Sequence, residues 1–128
     1  MKFVPLAEVC EFLDHKRVPV EESKRISGSY PYYGANGIQG WVNDFIFDEN
    51  LVLLAEDGGH FGSKTKPIAY KIFGKSWVNN HAHVLKPKSH CNIDYLHHVL
   101  RYYDVSPYIN GATRPKLTKS NASEIPIP

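Results

Sequence analysis

The residues to test first for chemistry are the seven histidines and one acidic pair. His81 and His83 stand two apart, so on a strand their rings point the same way. His90, His97 and His98 follow close behind. Adjacent His97 and His98 cannot share one ligand face on a helix. No set of Cys, His and carboxylate residues carries the spacing of a known zinc site. Packing and surface roles therefore account for the histidines better than a metal does. Glu56-Asp57 is a candidate acid/base pair, but neighbours at a strand end point apart, and an acidic turn before glycines is common. Gly58-Gly59-His60-Phe61-Gly62-Ser63-Lys64 lacks the Walker phosphate-binding spacing, and there is no Gly-x-Ser-x-Gly elbow. The expectation is no catalytic residue, no metal ligand and no cofactor. The remaining enzymatic alternative is a hydrolase or metal enzyme built on His81, His83 and Asp57.

Four polar loops offer a different chemistry, that of hydrogen bonding to nucleic acid. In Tyr32-Tyr33-Gly34-Ala35-Asn36-Gly37, an Asn can read adenine edges and a Tyr can touch sugar, phosphate or a thymine methyl. In Gly58–Lys64, glycines allow close backbone approach, and lysine, serine and amides can meet phosphate. Asn79-Asn80-His81 presents three side chains able to bond base edges. In Thr113-Arg114-Pro115-Lys116, the arginine suits guanine or phosphate. Each loop taken singly also reads as an ordinary turn. The expected DNA-contacting set is Tyr33, Asn36, Gly37, Gly59, His60, Lys64, Asn79, Asn80, His81, Thr113, Arg114 and Lys116. Of these, Arg114, Lys116 and Lys64 are expected to position phosphates, and Asn36, Asn80, His81 and Tyr33 to read bases.

Charge supports an anionic partner. The formal net charge is only +2. Yet residues 1–57 hold ten acids against five Lys/Arg, while residues 58–123 hold two acids, Asp94 and Asp104, against ten Lys/Arg. The segment from Gly58 to Lys88 carries six lysines and no carboxylate. Such a split suits a phosphate-facing surface, although a lysine-rich solvated surface has the same composition. The 128 residues fit one domain with its own core, and a 42% hydrophobic and 22% charged composition is that of a soluble globular protein. No apolar run approaches the ~20 residues of a membrane span, and Met1-Lys2-Phe3-Val4-Pro5 has no apolar core of a signal peptide. Cys10 and Cys91 read as buried thiols of a reducing compartment, which places the chain in the cytoplasm.

The elements that must position these loops are mostly short strands. Val4–Cys10 reads as a helical turn opened by proline, and Glu11–Val20 as extended. Glu21–Ser27 reads as a polar helix or turn closed by Gly28. Pro31–Tyr33 starts a strand, Gly34, Gly37 and Gly40 mark sharp turns or close approach, and Gly40–Phe47 alternates as a strand. Leu51–Ala55 is a continuous apolar run, the mark of a buried strand, ending in a turn at Glu56–Gly59. Ile68–Phe73 and Trp77-Val78 around Gly74-Lys75-Ser76 suggest a hairpin. His81–Lys86 is another strand, ended by Pro87. The main helix is expected near residues 93–104, with Asn92 as N-cap and Tyr95, Leu96, Val99, Leu100 and Tyr103 on one face. A helical turn follows Leu117, and Glu124–Ile127 is a last strand. The class is α+β, with short helices around a strongly curved mixed β-sheet.

Five stretches in order carry a family resemblance over essentially the whole chain. They are Val4-Pro5-Leu6-Ala7-Glu8-Val9-Cys10; Tyr30-Pro31-Tyr32-Tyr33-Gly34-Ala35-Asn36-Gly37-Ile38; Leu51-Val52-Leu53-Leu54-Ala55-Glu56-Asp57-Gly58; His81-Ala82-His83-Val84-Leu85-Lys86-Pro87; and Gly111-Ala112-Thr113-Arg114-Pro115-Lys116-Leu117 with Ile125-Pro126-Ile127-Pro128. Together they resemble the target-recognition domains of specificity (S) subunits from type I restriction–modification systems. The resemblance implies a non-catalytic, sequence-specific double-stranded DNA-binding domain spanning residues 1–128. In that family two such domains, separated by long helices, each read half of a bipartite site. Modification subunits methylate adenine and a restriction subunit cleaves unmodified DNA. Both subunits, and a second recognition half, are the implied partners; no membrane is. The helical spacer expected beyond residue 128 is absent, so the resemblance implies one recognition half. The alternative in another class is a protein–protein regulatory or exchange module of the same complex.

Overall fold

The computed structural model describes residues 2–111 and 113–128. Met1 and Ala112, which belong to the N-terminal reading and to the terminal signature, lie outside the described residues. The elements in chain order are β1 (Val4–Pro5), α1 (Leu6–Val9), β2 (Cys10–Phe12), β3 (Ser27–Gly34), β4 (Gly37–Val42), β5 (Phe47–Asp48), β6 (Leu51–Ala55), β7 (Ala69–Ile72), β8 (Lys75–Val78), β9 (Ala82–Pro87), α2 (Ile93–Leu100), α3 (Lys119–Ala122) and β10 (Pro126–Ile127). Single 3-10 turns lie at Asp14–Lys16, Glu22–Lys24 and Ser106–Tyr108.

Strand β6 explains the architecture. Its five residues are all buried because both of its faces are covered. Val52 and Leu54 enter one core with Leu96, Leu100, Val105, Leu117, Ile125 and Ile127. Leu51 and Leu53 point the other way, into a second core with Leu13, Phe47, Ile72, Val78 and Val84. Each such leucine contributes about 1.5–3 kcal/mol of burial. The strand sits inside an antiparallel sheet of order β2-β9-β6-β7. A second sheet has the order β4-β3-β8-β5, with β3 and β8 parallel and the outer pairs antiparallel. The pair β1-β10 brings the two ends of the described chain together, Val4 opposite Ile127. The class is therefore α+β, with the strands divided among two open four-stranded sheets and a two-stranded pair.

Several sequence expectations change in detail. The hairpin around Gly74 is not formed, because β7 pairs with β6 in one sheet while β8 pairs with β3 and β5 in the other. Gly74, at φ +69°, lets the chain cross between sheets instead of folding back. Gly28 does not close a helical turn; it lies inside β3, where an added Cβ would sit 2.2 Å from the Val42 carbonyl oxygen. The strand expected over Gly40–Phe47 splits into β4 and β5, and the extended stretch after Phe12 is interrupted by the turn at Asp14–Lys16. Pro5 occupies the N-cap position of α1, outside its first turn, without a side-chain capping bond. In α2 the Asn92 cap is formed, its Oδ1 accepting from the Asp94 and Tyr95 backbone N–H groups at 2.8 and 3.1 Å. Tyr95 faces solvent rather than the core and donates its hydroxyl to the Pro128 carbonyl at 2.8 Å.

Candidate nucleic-acid interface

The tip of the β3–β4 hairpin builds one wall of the site. Ala35 and Asn36 make the turn, and Gly37 takes φ +111°, a conformation that favours glycine. The tip is fastened twice. Asn36 Nδ2 donates to the Gly58 carbonyl at 2.9 Å, and the Tyr70 hydroxyl donates to the Gly34 carbonyl. Burial pushes the Tyr70 phenol well above its ordinary pKa, so it stays a donor. The opposite wall is the loop from Asn110 to Lys116. It is closed by reciprocal backbone bonds between Asn110 and Lys116, at 2.9 and 2.8 Å. Leu117 N–H then anchors it to the Glu56 carbonyl at 2.7 Å. Between the walls lies a cleft of about 620 Å³, lined by Ala35, Asn36, Gln39, Asp57, Gly58, His81, Thr113, Arg114, Pro115 and Lys116. In that cleft His81 Nδ1 is bonded to the Asp57 carboxylate.

A buried ionic network supports this floor. Along β9, His83 shares the face of Leu85, so its ring enters the first core and meets Phe12 edge-on at 5.6 Å. The residue is 0% exposed. Its Nδ1 lies 2.7 Å from Asp14 Oδ2, and its Nε2 lies 2.6 Å from the Leu117 carbonyl oxygen. Both partners are acceptors, so both ring nitrogens are satisfied as donors only when the ring carries two protons. Asp14 Oδ1 also accepts the Val84 N–H at 2.8 Å. Burial opposes ionisation of Asp14, but the His83 bond and charge, the Val84 N–H and Arg17 outweigh it and hold its carboxyl below the usual range. Glu56 completes the network, with Oε1 2.9 Å from Arg17 Nη1 and Oε2 3.3 Å from Lys116 Nζ. Thus His83 and Glu56 grip the base of the 110–117 loop from beneath.

Asp14, Glu56 and His83 bring donor atoms within 4.8 Å of one another and are of metal-ligating type. Each is already matched by a protein partner, with Arg17 and Lys116 supplying positive charge. A site of His81, His83 and Asp57 open to a substrate is not formed, because His83 is buried and bonded on both nitrogens. Glu56 and Asp57 diverge to different partners.

Of the residues expected from sequence, Asn36, His81, Thr113, Arg114 and Lys116 line the one cleft. The others do not. Tyr33 packs on Tyr70, ring centroids 5.8 Å apart. Asn79 is only 4% exposed and acts as a strut: its Oδ1 accepts the His81 N–H at 2.8 Å and its Nδ2 reaches Gln39 at 3.4 Å. Asn80 is exposed beside the cleft, its carbonyl taken by Arg17 at 3.3 Å. Gly37 completes the hairpin turn, and Gly59 packs so tightly that an added Cβ would meet Ala55 Cβ at 2.5 Å. His60 and Lys64 belong to a separate loop, turned by Gly58 and Gly62 at positive φ and braced by Ser63 Oγ, which accepts from the Lys66 N–H at 3.0 Å. Lys64 is exposed there. Gln39 and Asp57 also line the cleft, outside the expected DNA-contacting set. Among the described residues no helix is long and apolar enough to cross a membrane.

Comparison with known proteins gives one consistent answer. The profile of a family described as the type I restriction modification DNA specificity domain matches residues 1–128. A Haemophilus influenzae protein named as a type I restriction enzyme specificity subunit is 40% identical over 128 residues, covering 100% of this chain and 33% of that protein. The specificity subunit of the type I restriction enzyme EcoprrI of Escherichia coli is 26% identical over 106 residues, 83% of this chain and 25% of that protein. This chain thus spans a quarter to a third of the length of these relatives. Among solved structures, the type I restriction–modification S subunit from M. genitalium superposes with a TM-score of 0.76 at 11% identity, over 98% of this chain and 33% of that one. The HsdS subunit from Thermoanaerobacter tengcongensis gives 0.60 at 16% identity, over 99% of this chain and 33% of that one. At such identities the two structures speak for the fold.

Proposed function

The chain belongs to the type I restriction modification DNA specificity domain family, and from that premise we propose that residues 1–128 form one domain that binds double-stranded DNA sequence-specifically through the cleft between the β3–β4 hairpin and the 110–117 loop. The observation that carries this reading is convergence. Asn36, Gln39, His81, Thr113, Arg114 and Lys116 come from three distant stretches of sequence and line one cleft. Amides and an imidazole are base-edge readers, and Arg and Lys are phosphate or guanine ligands. The domain does no chemistry of its own. It directs adenine methylation and restriction by partner subunits in the cytoplasm, and a second recognition half reads the rest of the site. Partner contact has its own support: Ile38 and Trp41, 49% and 53% exposed, lie on the sheet-edge strand β4.

The test is a salt titration. One module of this kind buries roughly 600–1,000 Å² of protein surface, so the domain alone binds weakly. Its association constant should fall steeply with salt, and Arg114→Ala should flatten the slope by about 0.9 per phosphate contact removed. Salt-insensitive binding, or an Arg114→Ala variant with unchanged affinity and slope, would remove the cleft from the interface.

A further inference from the structure

An imidazole reads a base through whichever nitrogen faces it, and the two nitrogens are not equivalent. In the neutral ring one is a donor and the other an acceptor. Free histidine leaves that choice to solvent. In this cleft it is made by Asp57. The Asp57 carboxylate is an acceptor, so the nitrogen bonded to it, His81 Nδ1, must carry the hydrogen. The neutral ring is left with Nε2 as an acceptor. Both residues line the cleft, and the pair is braced from both sides. The His81 backbone N–H is bonded to buried Asn79 at 2.8 Å and its carbonyl accepts from the Glu56 N–H at 2.9 Å. Asp57 forms a backbone bridge with Lys116 on the far wall.

Resting on the DNA reading above, we infer that Asp57 is a specificity-determining residue that acts through His81, fixing the neutral ring so that Nε2 accepts a hydrogen bond from an exocyclic amino group in the major groove. Adenine N6 and cytosine N4 offer that donor; guanine and thymine offer acceptors at the equivalent position. Asp57 is a positioning residue, since it need not touch DNA. A carboxylate among cleft cations weakens phosphate attraction, so its presence is better explained by orienting a reader than by general affinity.

The experiment has two arms on the full 128-residue chain. The first is the nitrogen-15 spectrum of the His81 ring in alkaline buffer, without DNA. The wild type should show the Nδ1–H tautomer, and Asp57→Asn, whose amide can donate as well as accept, should lose it. A wild-type ring in the Nε2–H form overturns the inference. The second arm selects, in the same alkaline buffer, preferred duplexes from a randomised pool for wild type, Asp57→Asn and His81→Ala. A single position should prefer adenine or cytosine in the wild type, by roughly fivefold to tenfold for one hydrogen bond. That preference should vanish in His81→Ala and relax in Asp57→Asn, with the other positions unchanged. Uniform loss of affinity at every position would mark a merely structural role and overturn the inference. Wild-type binding with no position that depends on Asp57 overturns it alone. No wild-type binding to any duplex overturns the DNA reading and this inference with it.

Discussion

Removing the His83 ring should be among the most damaging single changes in the core. The side chain is 0% exposed and bonds two acceptors, one of them the Asp14 carboxylate, itself only 8% exposed. His83→Ala leaves that carboxylate short of its closest partner and the Leu117 carbonyl unpaired. Breaking one side of a buried ion pair costs about 3–5 kcal/mol, against a total stability of roughly 5–15 kcal/mol for a domain. A fall in melting temperature of about 10–20 °C follows for a chain of this size. Urea unfolding reads the same loss as a shift in midpoint at constant slope. His83→Phe separates packing from charge, because it restores ring volume without either donor; it should recover little. Exposed His15→Ala is the control, expected within about 0.5 kcal/mol of wild type. A double-mutant cycle of Asp14→Ala with His83→Ala should return a coupling of about 1.5–3 kcal/mol. If His83→Ala costs less than about 1 kcal/mol, or His83→Phe equals wild type, the ring is ordinary packing and the network does not hold the 110–117 loop.

Other expectations follow from the same contacts. Because Asp14 titrates below its unfolded range, its contribution to stability is complete above an unfolded value of about 3.9 and is lost as pH falls through the lower folded value; Asp14→Asn should flatten the acid limb of a stability–pH curve, and an unchanged limb would contradict the assignment. Burial pushes the Cys10 thiol up to about 12 and also raises the half-buried Cys91 thiol, so at pH 8 Cys91 should alkylate slowly while buried Cys10 stays unmodified until the protein unfolds. Ser76 Oγ is the buried side-chain oxygen without a hydrogen-bond partner among the described residues, and Ser76→Ala should be neutral or stabilising by up to about 1 kcal/mol in urea unfolding. Gly111 combines φ +86° with a 2.7 Å approach of an added Cβ to the Arg114 carbonyl oxygen; Gly111→Ala should destabilise the loop and weaken duplex binding more than it lowers the melting temperature.

What was legible in the sequence was whatever local pattern decides. Leu51–Ala55 announced a buried strand because five apolar residues between turn signals have no solvent side. Asn92 announced the start of α2 because its side chain caps the adjoining N–H groups. The β7–β8 relation was not legible, since a glycine turn reads the same whether the chain folds back or crosses to another sheet. Polarity alone could not separate Asn79, a buried strut, from exposed Asn36. The Asp14–Glu56–His83 network joins residues remote in sequence, so no spacing rule reaches it. One signal was present: a histidine inside the apolar run Ala82–Leu85 needs a buried partner, and that question leads to Asp14.

Three distant stretches of the chain are proposed to make one DNA-facing cleft. Backbone amide shift mapping of the isotope-labelled domain, titrated with short duplex DNA at low salt, tests it most directly. Perturbations should cluster at Asn36, Gly58, His81 and Arg114–Lys116 and fade together as salt rises. Perturbations centred instead on the far end of β9, at Glu11 and Lys86–His90, or no salt-sensitive perturbation at all, would contradict it.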